Sequence, residues 1–152
     1  GMSSGPSLEW SGSEYGIVWH YGVGGGAGTL YFARVGVEGE KVGVDVRITD
    51  HVCVSSHVAW IGWQYVMGWL EGPSNERLGT FGVVGPGAEH SSDNVPVSDV
   101  FSYKVDLDAA WTGSALAMVW SDGRAADCAE AAATGPLECN MEIYFNRVDL
   151  CE

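Results

Sequence analysis

The chain predicts an all-β domain, and three features carry that prediction. Short β-branched and aromatic runs alternate with clusters of Gly, Ser, Asp and Pro, and 22 glycines are spread over 152 residues. Residues 41–56, KVGVDVRITDHVCVSS, alternate apolar and polar positions along most of their length, the period of a half-buried strand. Only DCAEAAA (127–133) reads as a helical turn.

Taken in order, residues 1–7 read as a cloning remnant and disordered leader, small and polar. Residues 8–152 read as one domain, a two-sheet antiparallel β-sandwich of jelly-roll type. The expected strands are 15–23, 29–37, 41–54, 58–70, 78–84, 100–107, 114–120 and 141–150. GVGGGAG (22–28) lacks both the spacing and the strand-to-helix setting of a phosphate loop and reads as a flexible turn. PGAEHSSDNVPVSD (86–99) is a polar loop.

The pattern of 41–56 invites a hairpin with the aromatic run VAWIGWQYVMGWL (58–70), turning at Ser55-Ser56. Ile48 would then face Trp63, Val46 Tyr65, Val44 Met67 and Val42 Trp69, all on the apolar face, where such cross-strand pairs stabilise sheets. Trp63, Tyr65 and Trp69 are therefore expected in the core. The same register puts Trp60 opposite His51 and Gln64 opposite Arg47 on the polar face, with Asp45 near. An indole beside planar polar groups suits a sugar, because the ring covers the apolar C–H face while the polar groups take the hydroxyls. Trp60, Arg47, Gln64, Asp45 and His51 are thus the expected carbohydrate-binding residues.

Charge narrows the partners. With 20 acidic against 7 basic residues, net −13, no basic patch exists to release counterions from nucleic acid or an anionic membrane. The longest apolar stretch, 58–70, is too short and too glycine-interrupted to span a bilayer. No stretch is organised as a signal peptide. The four cysteines, Cys53, Cys128, Cys139 and Cys151, permit three pairings. A Cys128–Cys139 bridge would staple a loop and contribute up to roughly 3 kcal/mol in the chain-entropy picture. Cys53 with Cys151 would then tie the last strand to a central one. Bridged cysteines favour an oxidising compartment, so a secreted or cell-envelope location is expected.

The C-terminal third offers VDLDAAWTG (105–113), LAMVWSDG (116–123) and YFNRVDL (144–150). These resemble the galactose-binding-like jelly-roll domains, which include many carbohydrate-binding modules. There a strand leads into W-x-G, another ends in S/D-D, and the domain closes on a hydrophobic-Asp-Asn-Val-x-Leu strand. The resemblance implies a non-catalytic glycan-binding role and a structural calcium ion. Asn146 and Arg147 stand where that pattern has Asp and Asn; an amide carbonyl can still be a calcium ligand.

Other constellations are weaker. His51, Cys53 and His57 share a face of a straight strand, but the outer two are too far apart for one metal, and a disulfide explains Cys53 better. Asp106 and Asp108 lie side by side and Glu38 and Glu40 flank a turn, so neither pair faces across a glycosidic bond. Asp122, Asp127 and Glu130 lack EF-hand spacing, and no Gly-x-Ser-x-Gly elbow occurs. Two alternatives accompany the glycan reading. One is a structural or protein-interaction β-sandwich of an extracellular assembly; the other is a polysaccharide-active enzyme on the same fold.

Overall fold

The computed structural model describes residues 1–24, 27–85, 87, 89, 94–124 and 141–150. The described chain is all-β and builds two antiparallel sheets, the sandwich class expected from the sequence. The strands are β1 (Met2–Trp10), β2 (Glu14–Gly24), β3 (Ala27–Gly36), β4 (Lys41–Arg47), β5 (Cys53–Trp60), β6 (Tyr65–Glu71), β7 (Leu78–Val84), β8 (Val95–Pro96), β9 (Lys104–Trp111), β10 (Ala115–Asp122) and β11 (Glu142–Asp149). The larger sheet runs β1-β2-β3-β5-β6-β7-β8 with β4 also on β3; the smaller runs β11-β10-β9. Strands paired within a sheet are neighbours in sequence, except that β3 reaches past β4 to touch β5 at Gly28 and Cys53. A jelly roll would place strands distant in sequence side by side, and no such pairing occurs among the described strands.

Two cores lie on opposite faces of β6. Tyr65, Met67 and Trp69 pack with Val18, Leu30 and Phe32 from β2 and β3. Val66 and Leu70 pack instead with Leu107, Leu116, Met118 and Trp120 from the small sheet. A strand covered on both faces needs apolar residues at every position, which is why YVMGWL shows no alternation. The buried Trp69 indole N–H donates to Glu71 Oε2 (2.9 Å), giving that side chain's polar handle a partner.

The register expected between 41–54 and 58–70 does not form. β4 pairs with β3, Phe32 opposite Val46 and Tyr31 opposite Arg47. β5 pairs with β6, Val58 opposite Met67 and Trp60 opposite Tyr65. The aromatic run is itself a hairpin: Ile61 N–H donates to Gln64 O (3.1 Å), and Gly62 takes φ 103°, the glycine-dependent conformation of a two-residue loop. Trp63 therefore sits at the loop tip, 41% exposed, not in the core, and Val44 is 74% exposed; Tyr65 and Trp69 are buried as expected. The strand expected over 41–54 breaks after Arg47 because local bonds compete with the ladder. Thr49 Oγ1 donates to Glu71 Oε2 (2.9 Å) and accepts from His51 N–H (3.1 Å).

Two further expectations are corrected. Residues 1–7 are no disordered leader: from Met2 on they belong to edge strand β1, which pairs with β2 from Met2 opposite Gly22 to Trp10 opposite Tyr15. Cys53 is no half-cystine: it is a buried free thiol donating to Gly28 O (3.0 Å). Burial, with the Glu71 charge behind it, pushes that thiol up to about 12, so it stays protonated. Cys128, Cys139, Cys151 and the helical turn expected at 127–133 lie outside the described residues. Among the described residues no helix is long and apolar enough to cross a membrane.

Candidate functional site

On β2 the even positions Gly16, Val18 and His20 are buried, so Tyr15, Ile17, Trp19 and Tyr21 point to the outer face of the large sheet. Tyr31 lies opposite Trp19 across the β2–β3 ladder. Their rings stack at 5.8 Å between centroids, with planes 20° apart. Tyr21 meets the same Tyr31 edge-on at 6.3 Å. One side of Trp19 borders a depression of about 320 Å³ shared with Ser3, Tyr21, Tyr31 and Asp45. The other side borders one of about 330 Å³ floored by Ser3, Ser4, Pro6 and Ile17. Both are near the lower end of small-molecule sites, roughly 300–1,000 Å³. Beyond Ile17 the apolar stripe continues through Leu8, opposite it on β1, to Trp10 packed on Tyr15 at 4.7 Å. From Tyr15 to Tyr21 the stripe runs about 20 Å at strand rise.

Polar groups rim this face. Arg47 lies opposite Tyr31, and Asp45 is two residues along on the same side of β4. Each is half of an exposed ion pair, Lys41–Asp45 at 2.8 Å and Arg47–Asp50 at 2.9 Å. The rim is therefore close to neutral while the whole chain carries net −13.

Of the residues expected to form the sugar site, only Asp45 and Arg47 join these rings. Trp60 ends β5, half-buried at the border of the first core with its ring 4.8 Å from that of Tyr65. Gln64 closes the β5–β6 turn, and His51 is exposed in the loop after β4. His57 Nδ1 pairs with Asp108 Oδ1 at 2.8 Å, tying β5 to β9. Among the described residues no group of three His, Cys, Asp or Glu side chains is placed to hold a metal.

The residues considered for calcium have other partners. Asp122, 0% exposed, accepts from Ser102 Oγ (2.5 Å), Trp120 Nε1 (3.1 Å) and Arg124 Nη2 (2.6 Å), with Lys104 Nζ at 3.3 Å. Burial by itself would raise this carboxyl, but the bonds from Arg124, Ser102 and Trp120 and the Lys104 charge outweigh it and hold Asp122 well below the usual carboxylate range. Its oxygens already face two protein cations, a setting unsuited to a third. Asn146 Oδ1 accepts from Arg147 N–H (2.7 Å), while its amide donates to Val97 O. Asp127 and Glu130 lie outside the described residues.

The Lys104 ammonium, also fully buried, donates to Val100 O (2.5 Å), Ser102 Oγ (2.6 Å) and Arg77 O (3.0 Å). All three of its protons have acceptors, so the cluster acts as a clamp between the sheets rather than as a source of free chemistry.

No protein-family model matches the chain, and no curated protein or solved structure matches it either.

Proposed function

We propose that the protein binds carbohydrate, without cleaving it, on the outer aromatic face of the large sheet. The observation that carries this reading is the Trp19–Tyr31 stack, nearly parallel rings beside two shallow depressions and flanked by Asp45 and Arg47. Flat rings cover the C–H face of a pyranose, and ion-paired side chains at the rim take its hydroxyls. The near-neutral rim favours uncharged sugars, and the length of the stripe suits a chain of several rings. The likeness of residues 105–150 to galactose-binding-like domains supports the same role, and a Cys128–Cys139 bridge would support a secreted or cell-envelope setting.

The test is a glycan array followed by calorimetry on Trp19→Ala. A stacked aromatic contributes about 0.5–1.5 kcal/mol beyond area burial, so affinity should fall roughly tenfold while the melting temperature barely moves. A blank array, or a variant that binds like the parent, refutes the proposal. A second reading, a protein-interaction β-sandwich, draws on exposed Ile143 and Phe145 on β11. An oligomer in light scattering beside a blank array would favour it.

A further inference from the structure

A different place in the fold gathers most of its unusual features. Strands β1, β2, β5 and β9, with Arg77 and Tyr103, wall a cleft of about 510 Å³. Among the described residues, the buried side-chain polar atoms without a hydrogen-bond partner are both ring nitrogens of His20, Oγ of Ser56 and Nε of Arg77. All three residues line this cleft. The non-glycine residues with left-handed backbone, Ser55 (φ 48°) and Asp106 (φ 55°), line it too.

Three of the four strands that wall it break their pairing register where they border it. β1 loses register between Ser4 and Ser7, β5 between Val54 and His57, and β9 where Asp106 falls between the partners of Val119 and Ser121. Gly5, at φ 58°, lets β1 close over the imidazole, since a Cβ there would come within 2.8 Å of His20 Nδ1. Bulges that re-aim side chains, strained backbone and unpaired buried donors mark ligand sites when they coincide.

Charge says what kind of ligand. Six of the seven basic residues, Arg34, Lys41, Arg47, Lys104, Arg124 and Arg147, have a carboxylate within ion-pair distance. Among the described residues Arg77 has none, although it is only 9% exposed. It is held in place by a reciprocal clasp: its Nη1 donates to Lys104 O (2.7 Å), and the Lys104 ammonium donates back to Arg77 O (3.0 Å). Its Nη2 reaches Ser74 Oγ at 3.4 Å, and Nε is the guanidinium nitrogen with no partner among the described residues. A buried guanidinium without a counterion is built to receive one.

We propose that this cleft binds a small hydroxylated organic carboxylate, a sugar acid in size and polarity, with Arg77 taking the carboxylate and His20, Ser56 and Asp106 taking hydroxyls. One guanidinium with Asp106 lining the same cleft suits a single negative charge and opposes a phosphate dianion. Tyr103, with the Arg77 guanidinium 5.8 Å from its ring centre, gives the carbon skeleton an apolar surface together with Val54 and Val105. Pro6 borders both this cleft and the outer aromatic face, but none of the stacked rings lines the cleft, so the site does not depend on them.

The test is calorimetric titration of the whole chain with glucuronate, glucose and inorganic phosphate in parallel. Glucuronate should bind at least tenfold more tightly than either of the others. Arg77→Gln should abolish the preference over glucose. Ser56→Ala, which removes an atom with no partner among the described residues, should weaken glucuronate severalfold at an unchanged or higher melting temperature, and keeps the test open if Arg77→Gln fails to fold. Trp19→Ala should leave glucuronate affinity unchanged. Equal binding of glucose, tighter binding of phosphate, an unaffected Ser56→Ala, or loss of glucuronate in Trp19→Ala would each overturn the assignment. A blank glycan array with intact glucuronate binding would remove the aromatic-face reading alone.

Discussion

Replacing Asp122 by Asn tests the clamp that seats Arg77. The substitution keeps the side-chain volume but removes the carboxylate beside the Lys104 ammonium, whose side chain is 0% exposed, and beside the Arg124 guanidinium at 2.6 Å. Breaking a buried ion pair from one side costs about 3–5 kcal/mol, because the remaining charge is stranded. For a domain of this size about 1 kcal/mol moves the midpoint by roughly 2–4 °C, so calorimetry should show a fall of about 6–20 °C. Adding Lys104→Met should recover part of that loss, since it removes the stranded cation. Acid titration offers an independent readout. The folded Asp122 carboxyl lies below its unfolded value of 3.8, so it adds stability above that pH and loses it as pH falls toward the folded value. The acid limb of the parent should flatten in Asp122→Asn. A loss under about 1 kcal/mol, or strict additivity of the two substitutions, would refute the reasoning.

Two further outcomes separate the core from its edge. Trp69→Ala should cost about 3–5 kcal/mol in urea unfolding, whereas Trp63→Ala, at an exposed loop tip, should stay within about 0.5 kcal/mol. His20 is buried and its protonated form is disfavoured by desolvation, so its folded value lies below the unfolded 6.5. The unfolded chain then binds more protons below about pH 6.5, and stability should fall as pH drops through that window, approaching about 1.4 kcal/mol per unit. His20→Gln should flatten this limb; an unchanged slope would rule out His20 as its source.

Much of the fold was legible because strands announce themselves locally. The expected 78–84 coincides with β7, and β2, β3, β10 and β11 fall within two residues of expectation. The failure at 58–70 has a simple cause. Gly62-Trp63 turns the chain inside an unbroken aromatic run, and a hairpin loop there changes which parity faces inward. On β5 the even Val58 and Trp60 join the first core, while on β6 the odd Tyr65, Met67 and Trp69 do. Read as one strand, the segment exposed Trp60 and buried Trp63, the reverse of their roles. The aromatic face was hidden differently. Tyr15, Ile17, Trp19 and Tyr21 alternate with Val18 and His20, but both sets look apolar, and alternation cannot say which one another layer will cover.

The amino-acid order alone settled that this chain forms strands, where most of them lie, and that it carries a formal net charge of −13. These are properties of neighbouring residues and of composition. Stacking the layers decided the rest: that β6 is covered on both faces, that the Trp19–Tyr31 stack stays outside, and that Arg77 is enclosed without a carboxylate partner among the described residues. Those outcomes depend on residues brought together from different strands and both sheets, and spacing along one strand carries no record of what packs against it.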